Sequence, residues 1–202
     1  MLARYPVKSL RGPDGGIGSG KTIRRFRRVD GLLDHASALD HEPGPLITLA
    51  SGAQHRCGLP GTDAALSTSL GRPVTLRPEA EVRHHDESPV HVVSTASLRY
   101  LERLIGAPVD IRRVRPNILL DVDGDEPMED RWCGRDLQIG DVVLTLGPRM
   151  PRCVMVDLPQ PGVATDVPIL RTLGRVADTC LGLQASVRTA GVLRRGDAAR
   201  LL

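Results

Sequence analysis

Residues 14–22 read DGGIGSGKT, and Gly15, Gly20, Lys21 and Thr22 satisfy the phosphate-cradling pattern G-x-x-x-x-G-K-[ST]. How this stretch is read decides the fold class. A working phosphate loop leaves a buried strand and enters a helix, so that successive backbone N–H groups and the helix terminus face the phosphates. Here the residues before Gly15 are Leu10, Arg11, Gly12, Pro13 and Asp14, a turn composition with no apolar run to serve as the buried strand. Downstream, Ile23, Phe26 and Val29 alternate with four arginines, a pattern open to a short amphipathic helix or an irregular basic strand. The run NILLD at 117–121 imitates the apolar strand plus Asp that holds Mg²⁺ in such enzymes. Yet RPN before it and VDGDEP after it predict one strand ending in a turn, with no helical crossover and no parallel neighbour. A P-loop NTPase is therefore disfavoured.

The bulk properties narrow the classes further. A chain of 202 residues is expected to form a single domain over 1–202, long enough to bury roughly 70% of its unfolded surface without a metal staple. The net charge of +3 is mild, and 25 of the 27 basic residues are arginine, the lysines being Lys8 and Lys21 alone. With one Trp, one Phe and two Tyr, the chain lacks the aromatic platforms that accompany basic surfaces in nucleic-acid binding, and no nucleic-acid partner is expected. Cys57, Cys133, Cys153 and Cys180 are widely spaced. This indicates neither a disulfide framework nor a zinc ribbon and fits a reducing cytoplasm. MLARYPVKSL lacks the apolar core of a signal peptide, and no run approaches the roughly 18 apolar residues of a membrane span, so no membrane association is expected. His84, His85, Asp86 and His91 in HHDESPVH invite a metal reading, but adjacent histidines point apart on a strand and no second ligand pair accompanies them.

Most apolar segments are short, rich in Val, Leu and Ile, and bounded by Gly, Pro and Asp, which predicts a mainly β core. Expected strands cover 2–9, 46–50, 73–77, 117–121, 141–146, 153–157 and 181–188, with DLQIGDVVLTLG forming a hairpin near Gly140 and Asp141. STASLRYLERLIG predicts a helix capped by Ser94 or Thr95, with Leu98, Leu101, Leu104 and Ile105 on its apolar face and Gly106 at its exit. TDAALSTSLG predicts a shorter helix capped by Thr62 and ended by Gly71, and VPILRTLGRVA a third from about residue 168.

RYPVKSLRG, SPVHVVSTASL, RVRPNILLD with EDRWCGRDLQIGD, GPRMPRCVMV and the closing GVLRRGDAARLL occur in that order. Together they resemble the MOSC domain. The resemblance implies a mixed β-barrel with a few peripheral helices. It also implies a molybdenum cofactor (molybdopterin) and the reduction of N-hydroxylated compounds, or sulfur transfer as in fused members. By resemblance, Cys153 in PRC is the catalytic thiolate that ligates molybdenum, while Lys8, Ser9, Ser88, Arg115 and Asn117 grip the pterin and its phosphate. The residue types suit that chemistry. A phosphate wants a cation and hydroxyl donors, and a guanidinium offers two parallel bonds. A basic surround, with Arg149 and Arg152 flanking Cys153, would lower the thiol pKa, and a thiolate is a soft donor. Blander roles remain open: Cys153 as a small buried hydrophobe, Arg115 as a brace before Pro116, Asn117 as a cap where a strand begins. Trp132 is expected to pack against the barrel, and Cys57, Cys133 and Cys180 to be structural.

The chain departs from the family pattern after KSLRG, where two strands ending in a Gly-Asp-Arg-x-aromatic motif are missing. DGGIGSGKT then matches the turn leading into the family's next strand. Setting Asp34 and His35 against the missing Asp-Arg would place a neutral imidazole where a permanent cation is expected. Loss of two strands predicts an open barrel or a homodimer that closes it. No G-x-G-x-x-G unit and no cysteine cluster is present. A reductase of this kind therefore needs an electron-donor protein, whether flavoprotein, ferredoxin or cytochrome, beside its small-molecule substrate. The alternatives are a sulfur carrier that receives a persulfide on Cys153 from a cysteine desulfurase, and a non-enzymatic binding protein of the same fold.

Overall fold

The computed structural model of the chain describes residues 20–22, 25–27, 29–78, 85 and 87–202. These divide into two compact units, one within residues 3–84 together with Pro159–Val163, the other formed by His85–Leu158 and Ala164–Leu202. The strand expected at 2–9, with Lys8 and Ser9, lies outside the described residues.

In the N-terminal unit, β1 (Gly20–Thr22) pairs antiparallel with β2 (Arg25–Arg27), Lys21 opposite Phe26. Lys21 and Thr22 thus sit in a strand, and the helix terminus that a phosphate loop requires is absent at this point. The strands β3 (Ala36–Ala38), β4 (Leu46–Thr48) and β5 (Gln54–Arg56) form an antiparallel meander, and α1 (Thr62–Leu70) contributes Leu66 to a core with Leu32, Ile47 and Leu49. Cys57 packs against that core, where burial raises its thiol pKa. The expected Thr62 cap is corrected. Gly61, at φ 87°, precedes the helix, and the Thr62 hydroxyl donates to Arg56 O at 2.7 Å instead. Gly71 ends it in the left-handed region as expected. Residues 73–77 are not a strand either. Val74 N donates to Ser67 Oγ (2.9 Å) and Leu76 N to Asp63 Oδ1 (3.1 Å), so α1 side chains satisfy backbone groups that a strand would have paired.

The second unit is built on one six-stranded sheet in the order β11-β8-β9-β10-β6-β7, curled into an open half-barrel. The strands are β6 (Val90–Ser94), β7 (Ile118–Leu120), β8 (Asp136–Ile139), β9 (Val142–Pro151), β10 (Cys180–Thr189) and β11 (Ala199–Leu201). The hairpin predicted at Gly140–Asp141 joins β8 and β9. One expectation is overturned: β7, the NILLD strand, pairs parallel with β6. The chain between them crosses over through α2 (Thr95–Ile105) and the one-turn α3 (Ile111–Val114). The other neighbours are antiparallel, so the crossover is one unit set in an antiparallel sheet.

Strand alternation explains why β6 holds the centre. Val92 joins Leu120, Leu144, Leu146 and Leu183 on one face, with Trp132 packed against that cluster. Val93 joins Leu101, Val114, Ile169 and Leu173 on the other, beneath α2, α3 and α4 (Ile169–Val176). Burying a side chain such as Leu101 contributes about 1.5–3 kcal/mol. Ser94 caps α2, its Oγ accepting from Ser97 N at 3.0 Å. Leu98, Leu101 and Ile105 turn inward as expected, whereas Leu104 faces solvent. The same Ser94 donates through Oγ (2.5 Å) and N (3.2 Å) to the fully buried carboxylate of Glu129, fastening the 3-10 turn Met128–Trp132 to the start of α2. Residues 153–157, expected as a strand, instead form a 3-10 turn over Val154–Asp157. Among the described residues no helix is long and apolar enough to cross a membrane.

Candidate functional site

The segments that carry Arg115–Asn117 and Arg152–Cys153 meet at His91, the second residue of β6. The His91 side chain is buried, and Nε2 lies 2.9 Å from Leu181 O. Burial first, then the Arg152 guanidinium, hold its pKa down at about 3, so the ring is neutral at neutral pH. Nε2 then carries the proton donated to Leu181 O, and Nδ1 faces Arg152 Nη1 at 3.5 Å. Space for this comes from Gly182, at φ 70°, where a Cβ would fall 2.3 Å from Val92 O and 2.9 Å from His91 Nε2. Only glycine lets β10 approach β6 so closely.

Asn117 reaches the same point from β7. Its N donates to His91 O at 2.9 Å, and its Oδ1 accepts from His91 N at 2.8 Å. Two residues earlier, Arg115 closes α3 in the left-handed region at φ 58°, its N–H bonded to Ile111 O at 3.0 Å. That conformation costs a non-glycine residue on the order of 1–2 kcal/mol. Ser88 stands just before β6 and donates its hydroxyl to Val90 O at 2.7 Å.

From the third side comes the end of β9. Arg152 N donates to Thr179 O (2.8 Å), and the Arg152 side chain turns inward, giving Nη2 to Val114 O at 2.7 Å and Nη1 toward His91. Cys153 follows immediately, exposed and free. Its carbonyl accepts from Val156 N at 3.2 Å, opening the 3-10 turn. Arg149, the other flanking cation, is spent elsewhere. It lies 3.4 Å from Asp130 and 3.8 Å from Asp178, and donates to Ala177 O at 2.9 Å. Burial raises the Asp130 pKa against the opposing pull of Arg149.

Ser88, Arg115, Asn117 and Cys153 thus lie on segments that meet around one imidazole, while Lys8 and Ser9 lie outside the described residues. Of the other cysteines, Cys133 is exposed, contrary to a packing role, and Cys180 is half-buried with its Sγ 3.5 Å from Asp178 O. His91 spends its ring on Leu181 and Arg152, and no group of three or more His, Cys, Asp or Glu side chains suited to a metal occurs among the described residues. His91 as the hub was missed in the sequence. The available signal was a lone polar residue in the apolar run VHVV. Arg113, discussed below, was missed as well.

The residues fit an anionic, sulfur-seeking group. An exposed thiol offers a soft donor, next in sequence to an arginine held by two anchors, with Arg115 and Asn117 on the adjoining segment. Over 131 residues the chain is 35% identical to mitochondrial amidoxime reducing component 2 of Rattus norvegicus, a match covering 58% of this chain and 38% of the length of that relative. It is also similar to the crystal structure of YiiM from Geobacillus stearothermophilus, with a TM-score of 0.42 and 17% identity over 57% of this chain and 54% of that one. The model of the MOSC domain matches residues 79–200, which span β6 through β11 and every residue placed around His91, and the chain belongs to the MOSC domain family.

Proposed function

We propose that this protein binds a molybdenum cofactor at Cys153 and acts as a reductase of N-hydroxylated compounds, with electrons from a separate donor protein. The observation that carries the reading is the exposed, free Cys153 thiol, on a turn whose preceding Arg152 shares His91 with the Arg115–Asn117 segment. When bound, the cofactor would supply the two-electron redox chemistry. The chain's own residues hold and orient it. Cys153 would give the thiolate and Arg115 a guanidinium for the phosphate, and by the family resemblance Lys8 and Ser9 would add charge and a donor. Arg152, the residue before Cys153, is anchored to Val114 O and His91 and so ties the start of the thiol-bearing turn to that hub.

The test is elemental analysis of protein made in cells that synthesise the cofactor. Near-stoichiometric molybdenum that disappears in Cys153→Ser is expected, and a metal-free parent protein overturns the reading. Mass spectrometry of the same sample after treatment with a cysteine desulfurase separates the runner-up: a reducible sulfur adduct on Cys153 without metal assigns a sulfur carrier instead. Lys8→Ala is expected to weaken cofactor retention by roughly 1–3 kcal/mol, as for a charge-assisted bond.

A further inference from the structure

The turn that carries Cys153 is held by a side chain unlike its neighbours. Arg112 is partly exposed and spends its guanidinium on Asp110 at 2.5–3.0 Å. Arg113, the next residue of α3, is 1% exposed. Its Nη1 donates to Val156 O and to Leu158 O, both at 3.1 Å, and its Nη2 donates to Ala164 O. Desolvating a guanidinium is costly unless its donors are bonded. That cost is offset here by carbonyls drawn from one stretch of chain, the 3-10 turn after Cys153 and the residues that follow it. Those carbonyls have no strand ladder to join, because the stretch is not a strand. The turn is fastened on its other side too. Asp157 accepts from Ile169 N (2.9 Å) and Leu170 N (3.3 Å), capping α4, while the Val156 side chain is buried in the helical core.

We infer that Arg113 is a positioning residue for Cys153: it clamps the thiol-bearing turn to α3, the same short helix that delivers Arg115 and Asn117 to His91. One buried cation thereby fixes the thiol segment relative to the segment expected to grip the cofactor. A methionine of similar length would fill the volume and bond none of the carbonyls, whereas lysine keeps the charge and reaches fewer of them. The inference rests on the reading of Cys153 as the functional thiol, but its test needs no metal.

Amide hydrogen exchange is followed by peptide mass spectrometry on metal-free protein, and the turn Val154–Asp157 with Leu158 is compared with the β8–β9 hairpin. Arg113→Met is expected to speed exchange in the turn by about fivefold or more, as a locally ordered segment opens, with the hairpin unchanged. Arg113→Lys is expected to fall between parent and Arg113→Met. Equal turn rates in parent and variants overturn the clamp. So does a parallel rise in the hairpin, which would mark a general loss of stability. If Arg113→Met does not fold, the same comparison in Arg113→Lys decides alone. A protein that holds no molybdenum refutes the proposed function and leaves this result standing; an unchanged exchange rate in the turn refutes the clamp even in a metal-bearing protein.

Discussion

Acidification from pH 7 to pH 4.5 is expected to cost the folded protein about 3 kcal/mol through His91 alone. In the unfolded chain this imidazole titrates near its ordinary 6.5, whereas burial and the Arg152 guanidinium hold it at about 3 in the fold. Between those values the unfolded chain binds a proton that the native one refuses, so stability rises with pH across the window and falls as acid is added. At pH 4.5 the unfolded ring is fully charged and the native ring still neutral. Two pH units below 6.5, at about 1.4 kcal/mol each, give the figure. The assay is urea denaturation of the parent and of His91→Gln at pH 7, 6, 5 and 4.5. Glutamine keeps a donor for Leu181 O and an acceptor toward Arg152 but does not titrate. The carboxylates common to both proteins cancel in the difference, so the gap between the two unfolding free energies should shift by about 3 kcal/mol in favour of the variant. A gap that stays constant over this range would refute the buried, neutral assignment.

Gly182→Ala should destabilise the fold by more than about 3 kcal/mol, since the new methyl meets backbone oxygen and the His91 ring in a left-handed conformation; a midpoint in urea within error of the parent would contradict the close approach. Asp40 accepts two bonds from Arg56, at 2.8 and 2.6 Å, and its pKa is lowered from 3.8 to about 2. Its stabilisation is therefore present above pH 4 and is lost as pH falls toward 2. The melting-temperature difference between parent and Asp40→Asn should shrink over that interval and stay flat from pH 5 to 7. Mg²⁺-ATP should leave the melting temperature of the parent and of Lys21→Ala unchanged; a shift that vanishes in the variant would restore the phosphate-loop reading.

Local patterns were legible where neighbouring residues decide the outcome. The Gly140–Asp141 hairpin follows from strand alternation on both sides of a turn, and α2 from a serine cap, an apolar stripe and a closing glycine. The MOSC likeness of residues 79–200 was carried by motifs in the half of the chain that builds the sheet. What stayed hidden depends on distant partners. VMVD has the composition of a strand, but Arg113 claims the Val156 carbonyl and Asp157 turns to cap α4. The parallel pairing of β6 with β7 was missed because α3 is four residues long and rich in arginine, too short to show a helical period. Val74 and Leu76 carry a strand signal, yet side chains of α1 take their amides. At the site, Cys153, Arg115 and Asn117 were named from their motifs, while His91 and Arg113 look ordinary until the fold buries them.

The position of β10 has a consequence for how the chain must fold. β6 with β7, and β8 with β9, are each assembled from stretches close in sequence and can form early, but β10 alone joins the two pairs, setting residue 183 against 92 on one side and 149 on the other. Such distant pairing is slow, because loop closure precedes any gain from contact. On a ribosome extending the chain at about 5–20 residues per second, β6 emerges several seconds before its β10 partner exists. Through that interval the edge of β6 that later meets β10 is unpaired and open to pairing with other strands.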